Sequence, residues 1–286
     1  MAVPPPSPGS TTLSLRLTRP EPSVAELEER LLGVLTIMGL DIEPDHATAW
    51  AQEAHAIDDP DMASITEPLP GVVVTYDPWL DDLLVFHRAL FEGDKGQQTD
   101  EIPWSMASDV LDDLVAHGLV DPSIAIDEAE VSFVRSGVGG PDGSHEQWVE
   151  EIRFDLNAKV GGIRVLDAGV RIGITPAHHI SSIRLTDVDV EQLGPTFIEA
   201  SEASLRESFA AHVAGSTSAT IDSVIVTERR PVYGLSPSVG STIALPLYLV
   251  QYSIVTADED SLSSSRATMV FLSLTHPSPL VELALP

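Results

Sequence analysis

Residues 161–185 read GGIRVLDAGVRIGITPAHHISSIRL, with apolar side chains recurring on either side of Pro176-Ala177-His178-His179. Ile163 and Val165 alternate with polar residues, as do Val170, Ile172 and Ile174, while Ile180, Ile183 and Leu185 bring the chain back. A period of two places such residues on one face of a strand, so the stretch predicts a hairpin with one face in a core. The phase shifts at Asp167-Ala168-Gly169, where a bend or break is expected.

Working outward, IDEAEVSFVRSG (126–137) and QWVEEIRFDLNAK (147–159) precede the hairpin as two further strands, and a helix over WSMASDVLDDLVAHGLV (104–120) precedes those. The same order follows it: a helix in 195–215, then strands at 218–235, 244–257, 266–275 and 280–285. The two stretches align at a nearly constant offset, with LVAHG (114–118) over FAAHV (209–213) and His117 over His212. Periods near 95 residues are too long for a solenoid and imply tandem domains. Upstream lie a strand at 11–18, a helix from Val24 with a Ser23/Glu26 capping box, a helix at 43–57, and extended segments at 71–77 and 83–93. The fold class expected is therefore α+β, as tandem modules of one helix packed on a four-stranded antiparallel sheet. The boundaries are a Pro/Ser tether at 1–10 and modules at 11–95, 96–192 and 193–286.

The chain has 286 residues, 44 acidic against 15 basic, and no cysteine. A net charge of −29 repels phosphate backbones, which argues against nucleic acid and anionic membrane surfaces, while basic partners, cations and high-salt solvent are all tolerated. The lack of cysteine excludes disulfides, thiolate metal sites and cysteine nucleophiles. No apolar run reaches the ~18 residues of a membrane-spanning helix. The start, MAVPPPSPGSTT, lacks the basic and apolar regions of a signal peptide and reads as a tether. Such tethers follow a cleaved signal or a lipid-anchored residue, and a plain cytoplasmic N-terminus has the same composition.

Chemical motifs fail one by one. Adjacent His178 and His179 at a turn point apart and read as polar turn residues. HEQWV (145–149) has valine where a zinc helix needs its second histidine. DVDVE (187–191) lacks the calcium-loop glycine, so divalent-cation binding has no motif behind it. GLSPSVGS (234–241) lacks the Gly-x-Ser-x-Gly elbow, and GVGGPDG (137–143) has no following helix to hold a phosphate. Carboxylate doublets such as Asp81-Asp82 and Asp112-Asp113 are too common in so acidic a chain to carry weight. No catalytic, metal or cofactor residues are assigned.

Gly161, Gly162, Ile163 and Val165, then Val170, Ile172 and Ile174, resemble the strand pair of PepSY-type domains, found in thermolysin-type propeptides and in YycH/YycI-like envelope regulators. LPLYLVQYSI (245–254) resembles their Leu-x-Tyr-x-Val strand, and the likeness covers roughly 96–286. It implies a non-catalytic module of the bacterial envelope or exterior that binds or restrains another protein. Two alternatives stand beside it: an enzyme or small-ligand carrier with a pocket between helix and sheet, and a structural subunit of a surface or secreted assembly. Tyr76, Trp79, His87 and Asp109 are the residues a pocket would use, and Trp104 and Trp148, with Trp79, are candidate interface anchors.

Overall fold

The computed structural model describes residues 11–18, 21–57, 63–78, 80–91, 101–139, 145–160, 163–186, 189–197, 202–216, 221–235, 243–256 and 267–273. In chain order these hold β1 (Thr11–Thr18), α1 (Val24–Ile37), α2 (Pro44–His55), β2 (Ser64–Leu69), β3 (Val72–Asp77) and β4 (Asp82–His87). Next come α3 (Trp104–Ala116), β5 (Glu130–Gly139), β6 (His145–Val160), β7 (Ile163–Ile174) and β8 (Ile180–Thr186). Last are β9 (Asp189–Phe197), α4 (Glu202–Ser216), β10 (Ile221–Leu235), β11 (Ile243–Thr256) and β12 (Ala267–Ser273). The tether and the strand expected at 280–285 lie outside the described residues.

The chain divides into two compact units, each drawn from separated stretches. The first takes residues 19–158 and 168–188, and holds α1, α2 and α3. Its strands run β2-β3-β4-β8-β7-β6-β5, with β4 antiparallel to β8 through Leu83↔Leu185 and Val85↔Ile183. The period-two pattern decides what each face meets. Val72, Val74 and Tyr76, Leu83 and Val85, Ile152 and Phe154, and Ile172, Ile174 and Ile183 are all buried in one core. Against them α1 sets Leu27, Leu31, Val34 and Leu35, and α3 sets Ala107, Val110, Leu111 and Leu114, at helical spacing. The predicted capping box forms: the Glu26 amide donates to Ser23 Oγ, and the Ser23 amide to Glu26 Oε2 at 2.7 Å.

Intervening positions put ion pairs across the strands. Arg184 Nη2 lies 2.7 Å from Asp82 Oδ2 and Arg171 Nε lies 2.6 Å from Asp155 Oδ1, while within β6 Arg153 pairs with Glu151. Glu151 itself is 1% exposed. Its Oε1 reaches from β6 across Gly173 of β7 and accepts from the Ser181 and Ser182 hydroxyls of β8, at 2.8 and 2.6 Å.

The second unit takes residues 1–18, 159–167 and 189–286. In it β11 pairs antiparallel with β10, β12 and β1, and β1 pairs along its length with β9. Residues 164 and 165 of β7 join β10 in parallel, at Val232 and Tyr233, so the sheet is mixed. Helix α4 brings Phe209 edge-on to Tyr252, with ring centroids 5.0 Å apart, and His212 Nε2 within 2.7 Å of the Tyr252 hydroxyl.

These pairings overturn the expectation of tandem helix-on-four-strand modules. Helix-then-strands does recur along the chain, but sheet neighbours come from distant segments: β4 joins β8, and β1 joins β9 and β11. The units are extensive sheets assembled across the expected boundaries. An alternating strand carries no label for its partner, so the offset of 95 residues recorded a shared element order and not separate sheets.

Candidate functional site

The first unit's sheet has two outer strands, and they differ in what they offer. β2 is six residues long, contains Pro68 and Glu67, and its register with β3 shifts between Thr66 and Leu69. Short length, proline and irregularity are the usual devices that discourage strand addition. β5 is ten residues long, contains no proline, and pairs among the described residues with β6 alone. Its one register shift opposes consecutive Val134 and Arg135 to Glu151 and Val149, which places the extra residue on β6 and leaves β5 regular.

Two aromatic rings stand beside that edge. Trp104 opens α3, is 40% exposed, and meets Phe154 edge-on with centroids 5.1 Å apart. Phe154 pairs with Val131, two residues from Phe133 on the same face of β5. Phe133 is 37% exposed, with the Arg135 guanidinium carbon 5.5 Å from its ring centroid. Glu101 and Asp109 flank Trp104 in sequence and are exposed, as are Asp127 and Glu128 just before β5. Trp104 and Phe133 are thus linked through Phe154 and Val131 on one face of β5 and β6, with Arg135 against Phe133 and exposed acids in the adjoining segments.

The structure brings the other sequence-predicted residues to no common point. Tyr76 is buried and donates to Asp81 Oδ1 at 2.9 Å. His87 opposes Val72, four residues or ~13 Å along the ladder from Tyr76. Asp109 is exposed on α3, Trp148 is half-buried on β6 opposite Ser136, and Trp79 lies outside the described residues. Of the five that are described, only Trp104 joins Phe133 beside β5. The seam where a pocket was to lie, between helices and sheet, is filled by the aliphatic core. His178 and His179 are exposed in the β7–β8 turn, His178 at φ 62°, as polar turn residues.

Sequence reasoning missed Phe133, Asp81 and Glu151. Asp81 is fully buried at φ 42°, taking the Tyr76 hydroxyl on one oxygen and Arg30 Nη1, at 2.8 Å, on the other. Burial first, then the Asp81 charge, pushes the Tyr76 phenol far above its ordinary range. Both buried carboxylates are enclosed by the chain's own donors, so they fasten elements together and do not face a substrate. Among the described residues no three His, Asp or Glu side chains gather as a metal site needs, and no helix is long and apolar enough to cross a membrane.

No protein-family model matches the chain, and no curated protein matches it. Among solved structures, an uncharacterized protein from Eubacterium rectale is similar over 94% of this chain and 85% of its own, at 12% identity and a TM-score of 0.46. A likeness at that level says nothing about activity.

Proposed function

We propose that this is a non-catalytic protein-binding protein that holds an extended segment of a partner along β5, with Trp104 and Phe133 as anchors. The observation that carries the reading is the conjunction of a regular outer strand with two exposed aromatic rings beside it. Strand addition draws affinity from main-chain hydrogen bonds and specificity from alternate side chains, and exposed Trp is enriched where interfaces concentrate their energy. The net charge of −29 and the exposed acids in the adjoining segments steer basic partners towards it. A bacterial envelope or exterior location, which the PepSY likeness implies, belongs to the same proposal.

A photo-reactive benzophenone side chain at Phe133, used in extracts of the source cells, should yield discrete protein adducts. The same group at exposed Gln52 on α2 should not. Trp104→Ala should weaken the captured partner by about 2 kcal/mol, ~30-fold in Kd, with the melting transition retained. Identical adducts at both positions, or capture indifferent to Trp104→Ala, would defeat the proposal.

A further inference from the structure

Helix α1 turns Leu27, Leu31, Val34 and Leu35 into the core, and its opposite side lines an open groove of about 450 Å³. Leu32 and Gly33 form part of the floor, Glu28 and Glu29 stand in its wall, and His117, from the end of α3, closes one flank. Gly33 makes this shape: a Cβ there would come within 2.9 Å of Leu119 Cδ1, so glycine lets the turn after α3 lie against α1. From Ala25 to Thr36 the lining spans 12 residues of helix, a rise of ~16 Å or three turns.

From this groove we infer a second docking site, which takes a basic amphipathic helix about three turns long from a partner protein. Exposed Ala25, with half-buried Leu32 that also packs on the core, offers a short apolar track for one stripe of such a helix. Exposed Glu29, and half-buried Glu28 whose Oε1 also accepts from Thr48 Oγ1 at 2.9 Å, offer charge to its lysines or arginines, within a stretch (residues 1–120) that holds 22 acidic and 5 basic residues. The inference goes beyond the β5 proposal and rests on a different surface, so either can fail alone.

The test uses the full chain and two synthetic peptides of about 14 residues built from Leu, Ala and Lys. In one the leucines repeat at helical spacing. In the other the same residues are scrambled so that no face is apolar. Titration at 0.15 M salt with amide NMR shifts should show the first binding at least tenfold tighter, becoming helical, and perturbing residues 25–36 and 117–119. Glu29→Lys combined with Ala25→Gln, both at exposed helix positions, should weaken it at least tenfold, whereas Trp104→Ala should leave it unchanged. Equal binding of both peptides would overturn the site as mere attraction to an acidic surface. So would shifts produced at the groove by calcium chloride but not by peptide, or loss of peptide binding in Trp104→Ala.

Discussion

Gly173→Ala should destabilise the first unit by about 4 kcal/mol, seen as a lower denaturation midpoint with an unchanged slope. A Cβ at this position would overlap Glu151 Oε1 and the Ser182 hydroxyl, both in the buried polar cluster that spans β6, β7 and β8. The carboxylate cannot retreat without losing two serine donors and Arg153 while it stays shut from water. An uncompensated buried charge is among the few defects that cost this much. The mechanism is separable from a general dislike of alanine. Glu151→Ala destabilises too, but in that background the added cost of Gly173→Ala should fall to about 1 kcal/mol, a coupling of about 3 kcal/mol. Additive costs would mean that the glycine serves something other than the carboxylate.

The second large effect centres on Asp81. Asp81→Ala leaves the Arg30 guanidinium and the Tyr76 hydroxyl without this acceptor at the junction of α1 with the β3–β4 turn, and should cost about 3–5 kcal/mol. Asp81→Asn should cost less, because Asn tolerates the positive φ and still accepts from Tyr76. Burial of the Tyr76 phenol, with the Asp81 charge beside it, also sets an alkaline limit. The Tyr76 phenol is raised above its ordinary 10.0, so the folded chain keeps a proton that the unfolded chain releases. The stability from this group is therefore whole below pH 10 and declines as pH rises beyond it. Tyr76→Phe should lower stability by about 1 kcal/mol at pH 7 and flatten the loss between pH 10 and 11. A wild-type curve no steeper than that of Tyr76→Phe would remove Tyr76 from the account.

Much of the local structure was legible because its signals are local. The alternation in 161–185 marks β7 and β8, and Ser23 with Glu26 marks the start of α1. The phase shift at Asp167-Ala168-Gly169 is also real: Gly169 sits at φ 130°, and a Cβ there would strike the backbone at Leu156 and Asn157. β2 was missed because SITEPL contains Pro68 and leaves Ile65 71% exposed, which is how a blunted outer strand reads. β9 was missed because Gly194 and Pro195 imitate a linker, and residues 195–197, expected to open a helix, end this strand.

The candidate site was less legible. Phe133 alternates with Val131 as a core residue would, and only its place on an outermost strand exposes it. Trp104 could be singled out by residue type, but its 40% exposure depends on where α3 begins relative to Phe154 of β6. The doublet Asp81-Asp82 reads like the rest of an acidic chain, and Glu151 draws no notice in it. Arg30, Arg184, Ser181 and Ser182, 30 to more than 100 residues away in sequence, are what set them apart.

The interleaving of distant strands is tested most directly by the folding of residues 193–286 expressed alone. That fragment has α4, β10, β11 and β12, but lacks β1, the first four residues of β9 and the 164–165 contact that complete its sheet. The structure predicts no cooperative thermal transition and poorly dispersed amide resonances for it, with order returning only when the missing strands are supplied in the same chain. A sharp melt and a dispersed spectrum from the fragment by itself would contradict it.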